Sequence, residues 1–284
     1  AENGEILNFR RSECVKKGQL TPHYHYVSRP PFTEAEAVRR AIYLAGQTDT
    51  PLYIAHMTCR EAIAELQKAK GTGQRVSGET CTHYLTTTKE VLDNPDFNEA
   101  AKFVCSPALR DQEDCEALWQ ALAGGLLTAV SSDHCGIDVA ELKQAGRDDF
   151  TQIPNGSPGA GDRLHMVWTE GVCTGKLSRQ KFVDVIATQP AKINGIYPRK
   201  GTLAVGSDAD IVIFDPSYEG VIRLADNPNG VDYNLYEGHR QSGRVETVLL
   251  RGQVVVENAK FVGRYGQGQF IPASMYASGY ENRN

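Results

Sequence analysis

The chain has 284 residues, of which 40% are hydrophobic and 23% charged, with a formal net charge of -5 at pH 7. That length admits one large domain or two ordinary ones, and the acidic balance argues against a nucleic-acid surface, which is normally basic. No apolar run approaches the ~18–20 residues a bilayer crossing needs, so a small-molecule substrate is the expectation and a membrane is not. The 7 cysteines are odd in number, widely spaced and without a C-x-x-C pair, which points to free thiols in a reducing cytoplasm rather than a disulfide framework.

Taken in order, the chain opens on Ala1-Glu-Asn-Gly-Glu5, with no initiator Met, basic n-region or apolar h-region, so it is no signal peptide. Residues 33–47 read as a helix, with Thr33 as N-cap and Glu36 completing a capping box. Residues 51–56 are a short apolar run behind a proline, the pattern of a buried strand that ends at His56. Residues 60–70 form an amphipathic helix closed by Gly71-Thr-Gly73, and residues 76–79 a second strand ending at Glu79. Residues 112–123 read as a helix, residues 127–132 as a strand leading to Asp133, and residues 178–188 as a helix capped by Ser178.

This βαβα rhythm predicts a parallel sheet, and a doubly wound sheet and a (β/α)8 barrel both fit it. Only about three barrel strands can be counted, too few for an entire barrel of roughly 250 residues. From about residue 200 the texture changes. Residues 201–206, 209–215, 245–252 and 253–257 are short, rich in β-branched side chains and separated by Gly or polar turns, which predicts a small β region. The expected division is therefore 1–198, α/β, and 199–284, β with a C-terminal tail. That tail, from about residue 266, is read as a loose arm or an oligomer-wrapping segment.

The C-terminal ends of parallel strands form the working face of α/β folds. A histidine and an aspartate leaving that face in succession, His56 and Asp133, are suited to a Zn²⁺ ion as imidazole and carboxylate donors. A lone histidine at a strand end is more often a hydrogen-bonded structural residue, and an aspartate after a strand is often a helix cap; their conjunction favours a site. Ser106, held extended before Pro107, and Asn155, in the turn-rich run Pro154-Asn-Gly-Ser-Pro-Gly159, are further candidates. The polar run Gly78-Glu-Thr-Cys-Thr-His-Tyr84 is read as following the second strand.

A set of segments carries a resemblance: Ala1-Glu-Asn-Gly-Glu5, Ser28-Arg-Pro-Pro31, Ala55-His-Met-Thr-Cys59, Gly78-Glu-Thr-Cys81, Ser106-Pro-Ala-Leu-Arg110, Ser132-Asp-His134, Pro154-Asn-Gly-Ser-Pro-Gly159, and Lys200-Gly-Thr-Leu with Gly206-Ser-Asp-Ala-Asp-Ile-Val-Ile-Phe-Asp215. In this order they resemble the motifs of the hydantoinase/dihydropyrimidinase branch of the amidohydrolase superfamily, over nearly the whole chain. The last motif recurs in many amidohydrolases and is the least specific.

The resemblance implies an α/β fold: the C-terminal half of a TIM-like (β/α)8 barrel, then part of a small β-sandwich domain. It implies a binuclear metal centre, usually zinc, with four histidines, an aspartate and a bridging carboxylated lysine. His56 matches the metal-binding histidine ending the sixth strand. Asp133 matches the aspartate ending the eighth, a metal ligand and proton carrier. Ser106 and Asn155 match the substrate-binding positions whose backbone groups hold the cyclic amide or imide. The His-x-His pair, the lysine, a substrate-contacting tyrosine and the fifth-strand histidine correspond to nothing here, and Ala1 falls immediately after that last histidine.

The implied activity is hydrolytic ring opening of hydantoins or dihydropyrimidines to N-carbamoyl amino acids, in a homo-oligomer (tetramer or dimer). Residues 1–284 alone are expected to be inactive and poorly soluble. Allantoinase and dihydroorotase are alternatives within the superfamily. A non-catalytic scaffold of the collapsin-response-mediator type is the alternative from another class, disfavoured by the retained His56 and Asp133.

Overall fold

The structure, a computed structural model, describes residues 1–274. The end of the expected arm or wrapping segment, from residue 275 on, lies outside the described residues. Contacts divide the chain into two compact units: Ala1–Arg163 with Arg223–Gly238, and Leu164–Ile222 with His239–Asn284.

In the first unit the N-terminus is helical, which the sequence pattern did not suggest. Helix α1 (Gly4–Lys16) is capped by Asn3, whose side chain accepts from the Ile6 amide at 3.1 Å. It buries only Leu7 and Cys14, so its apolar stripe is too thin to read as amphipathic. A short helix α2 (His23–Val27) follows. Helix α3 (Pro31–Gln47) begins earlier than expected. Pro30 occupies the cap position and Pro31 the first turn, where a missing N–H costs nothing. Thr33 therefore does not cap; its hydroxyl donates to the Pro30 carbonyl at 2.8 Å, and Glu36 accepts from Asn3 at 2.7 Å.

Strand β1 (Leu52–Ile54), helix α4 (Arg60–Gly71) and strand β2 (Val76–Cys81) form a βαβ unit. Short helices α5 (Thr82–Thr86) and α6 (Phe97–Ala101) lead to α7 (Gln112–Ala123) and strand β3 (Ala129–Ser131). The strands make a three-stranded parallel sheet in the order β1-β2-β3, in register at Leu52↔Val76 and Glu79↔Ala129. Strand β2 is central and runs past Glu79, so the polar run from Gly78 is strand and then helix rather than a loop after the strand. Gly78 lets Met57 and Leu66 close on the sheet: a Cβ there would lie 2.6 Å from the Met57 sulfur. Ile54, Met57, Leu66, Leu118, Leu122 and Val130 are all buried.

The second unit holds α8 (Arg163–Val167, its first residue shared with the first unit), α9 (Arg179–Val183) and α10 (Gln189–Ile193). Ser178 caps α9 as expected, accepting from the Lys181 amide at 3.1 Å. The predicted single helix is interrupted by a π-helical turn, Asp184–Thr188, ahead of Pro190, which has no N–H to offer the ladder. Strands β4 (Ile211–Val221), β5 (Arg240–Leu250), β6 (Gln253–Glu257) and β7 (Lys260–Phe261) form an antiparallel sheet in chain order. Residues 201–206, expected as a strand, are irregular, with a bend at Gly201–Thr202 and a turn at Val205–Gly206. No helix of the described residues is long and apolar enough to cross a membrane, and all the cysteines are free thiols.

Candidate functional site

His56 and Asp133 occupy equivalent places. One follows β1 and the other β3, both beyond the C-terminal edge of the parallel sheet. Both have left-handed backbone, with φ of 39° and 44°. For a side-chain-bearing residue that conformation costs roughly 1–2 kcal/mol, and such outliers gather at functional sites. Asp133 is exposed and His56 half-buried, yet the His56 Nδ1 atom is buried with no hydrogen-bond partner in the protein. An unpaired buried nitrogen of that kind is what a metal donor looks like when only protein atoms are counted. The pair fits a metal ion in kind and falls short in number. Among the described residues no group of three or more His, Cys, Asp or Glu could hold one. Glu79 does not join them; it sits within β2 and its carboxylate accepts from the Tyr53 hydroxyl at 2.6 Å.

Ser106 and Asn155 are brought together: the Ser106 hydroxyl donates to Asn155 Oδ1 at 2.7 Å. The Asn155 amide is itself oriented by donating to the Ile153 carbonyl at 2.9 Å. The loop carrying Asn155 is bonded to both of its neighbours. Gly156 N donates to Val104 O at 2.9 Å and the Ser157 hydroxyl to Lys102 O at 2.6 Å, joining it to the segment that enters Ser106. Cys135 N donates to Ser157 O at 3.0 Å, and His134 Nδ1 accepts from the Gly159 amide at 3.3 Å, joining it to the segment that leaves Asp133. Gly156 is required here, since its φ is 126° and a Cβ would lie 2.5 Å from Cys135.

Four buried groups support these loops, and the sequence reading assigned a role to none of them. His25 donates from Nε2 to the Cys105 carbonyl at 2.7 Å. Lys143 donates to the carbonyls of Ala101 at 2.7 Å and Val104 at 3.3 Å, and burial pulls its ammonium down to about 8. Arg110 and Glu34 form an ion pair at 3.1 Å with side chains 1% exposed on both sides. Glu34 also accepts from the Thr58 amide at 2.8 Å, just past His56, and Arg110 donates to the Thr58 hydroxyl at 2.9 Å. This pair thus ties the turn bearing His56 to the segment bearing Ser106. Arg110 stood inside a quoted motif, but Glu34, His25 and Lys143 lie far from it in sequence, and no local spacing announces them.

His25 makes a testable contribution to acid stability. Burial, with Arg29 adding to it, lowers its pKa from 6.5 to about 3. The unfolded chain therefore binds the extra proton between these values. Stability falls as pH drops through that window, by about 1.4 kcal/mol per pH unit. Urea unfolding at pH 7 and pH 5 should show a loss of about 2 kcal/mol from this residue. His25→Gln, which keeps a donor but cannot titrate, should flatten the slope by that amount; an unchanged slope would refute the assignment.

A family model described as the amidohydrolase family matches residues 29–255. A D-hydantoinase of Ralstonia pickettii is 48% identical over 276 residues, covering 97% of this chain and 60% of that protein. A D-hydantoinase of Rhizobium radiobacter is 49% identical over 276 residues, with the same shares, 97% and 60%. The crystal structure of a dihydropyrimidinase from Brevibacillus agri superposes with a TM-score of 0.96 at 44% identity, covering 98% of this chain and 60% of that one. The chain thus spans about 60% of the length of these relatives.

Proposed function

Since the chain belongs to the amidohydrolase family and carries part of its TIM-barrel fold, we propose that the protein hydrolyses cyclic amides or imides, hydantoins and dihydropyrimidines, to N-carbamoyl amino acids. What supports this most directly is the stitching of three loops: Ser106 on Asn155, and the Asn155 loop on the segment leaving Asp133. On this reading the joined loops would offer a hydrogen-bonding cradle for a planar ring edge, with the Asp133 carboxylate on the neighbouring loop.

His56 and Asp133 would hold metal, together with donors outside residues 1–284; zinc is the metal proposed, since imidazole nitrogen and carboxylate oxygen suit it. A metal pair in such a site lowers the pKa of water from ~15.7 toward ~7 and polarises a carbonyl. The chain's own groups do the rest. Backbone groups of Ser106 and Asn155 fix the ring edge, so the geometry of their loops matters more than their side chains. Asp133 takes a proton from the attacking water as its oxygen bonds to the ring carbonyl carbon. When the ring C–N bond breaks, Asp133 returns that proton to the leaving nitrogen. A homo-oligomer, tetramer or dimer, in the cytoplasm goes with this reading.

The test is direct. The full-length, metal-loaded protein, given a 5-substituted hydantoin and dihydrouracil in turn, should release N-carbamoyl amino acid from at least one of them. Absence of product from both, with hydrolysis of allantoin or dihydroorotate instead, would move the protein to another branch of the family.

A further inference from the structure

Between β4 and β5 the chain leaves the second unit, and residues Arg223–Gly238 belong to the first. This stretch is mostly irregular, and it makes three separate attachments to the candidate site. The first is reciprocal. The Asp232 carboxylate accepts from the amides of Val139 at 2.9 Å and Ala140 at 2.7 Å, while the Asp232 amide donates to the Asp138 carboxylate at 3.0 Å. These bonds grip the segment that runs on from Asp133. The second attachment is to the loop of Asn155: Asn229 Oδ1 accepts from the Gly161 amide at 3.0 Å, and Asn227 donates to both Asp162 oxygens at 2.8 Å. The third is Tyr233, 4% exposed, whose hydroxyl donates to the Lys102 carbonyl at 3.4 Å, on the segment that enters Ser106.

An irregular stretch of this length in a compact fold is usually functional. Here each attachment goes to a different one of the loops bearing Asp133, Asn155 and Ser106. We propose that residues 227–236 are a strap that sets the spacing of these loops, with Asp232 the positioning residue for Asp133 and Asn229 that for the ring-holding loop. This rests on the ring-opening function above and assigns it two residues that touch neither substrate nor metal. The division of labour has a kinetic signature. Loosening the Asp133 segment misplaces the proton carrier and lowers kcat. Loosening the Asn155 loop weakens the hold on the ring and acts mainly on KM.

In the full-length enzyme, Asp232→Ala should lower kcat about 10- to 100-fold with KM within about twofold, the range expected for a displacement near 1 Å. Asn229→Ala should raise KM by a larger factor than it lowers kcat. Hydrogen exchange of the Val139 and Ala140 amides, read without substrate, should accelerate in Asp232→Ala and not in Asn229→Ala. Should Asp232→Ala fail to fold, Asp232→Asn keeps one acceptor oxygen and should give an intermediate kcat; a folded Asp232→Asn with wild-type kcat overturns the role. So does a folded Asp232→Ala with accelerated exchange and wild-type kcat, or equal effects of both variants on kcat and KM. A wild type that opens no ring overturns the ring-opening function first, and the positioning role with it.

Discussion

On the proposed function, replacing Asp133 with asparagine in the full-length protein is expected to lower ring opening about a thousandfold while leaving the protein folded, within the range a lost general acid–base group produces. The backbone at Asp133 is left-handed, φ 44°, and asparagine, like aspartate, is among the side chains that tolerate that region best. Asp133 is also exposed, so the substitution removes no buried charge and leaves no cavity. Unfolding midpoints should therefore agree within about 0.5 kcal/mol, the range of ordinary surface changes. What disappears is chemical: an amide cannot take a proton from water and hand it to a departing nitrogen, and it is a weaker metal donor than a carboxylate. Asp133→Ala should lose the same activity and, in addition, about 1 kcal/mol of stability, because alanine pays for the left-handed backbone without the local hydrogen bonding of asparagine. The measurement is initial rate of N-carbamoyl product beside a urea titration of each variant. A folded Asp133→Asn with near wild-type rate removes Asp133 from the mechanism.

Particular residues show how far the sequence could be read. His56 and Asp133 were legible as strand-end positions because short apolar runs mark where strands end, and parallel strands deliver their ends to one face. Ser106 and Asn155 were legible as turn chemistry around prolines and glycine, and their 2.7 Å contact bears out only that the two loops meet. The helices with strong apolar periodicity, such as α4 and α7, fall within a residue of their predicted bounds. Helix α1 escaped notice because so little of it is buried. The supports escaped for a different reason. Glu34 meets Thr58 and Arg110, and Asp232 meets Val139, across sequence separations of 24, 76 and 93 residues. Such pairs are decided by tertiary packing, and a single sequence carries no periodic trace of them.

The support with the largest expected effect on stability is the Arg110–Glu34 pair. Burial alone would push the Arg110 guanidinium down, and Glu34, with Cys59 and Glu2 adding to it, holds the group above its ordinary value. Both side chains are 1% exposed, so neither charge has water to fall back on. Arg110→Met keeps the apolar stem but leaves the Glu34 carboxylate buried with only the Thr58 amide and hydroxyl as donors. The expected loss is about 3–5 kcal/mol, the usual result of stripping one partner from a buried ion pair. Glu34→Leu should cost a similar amount by stranding the guanidinium, although Arg110 still donates to the Thr58 hydroxyl at 2.9 Å and to the Arg29 carbonyl. The double variant Arg110→Met/Glu34→Leu removes both charges and should be more stable than either single one, since no uncompensated charge remains. Double-mutant unfolding in urea reads this as a coupling of about 2 kcal/mol or more. If the losses simply add, the pair is two independent contacts. If they couple as expected, a single buried ion pair holds the turn of His56 to the strand of loops that carries Ser106, and damage to it should reach the site by both routes at once.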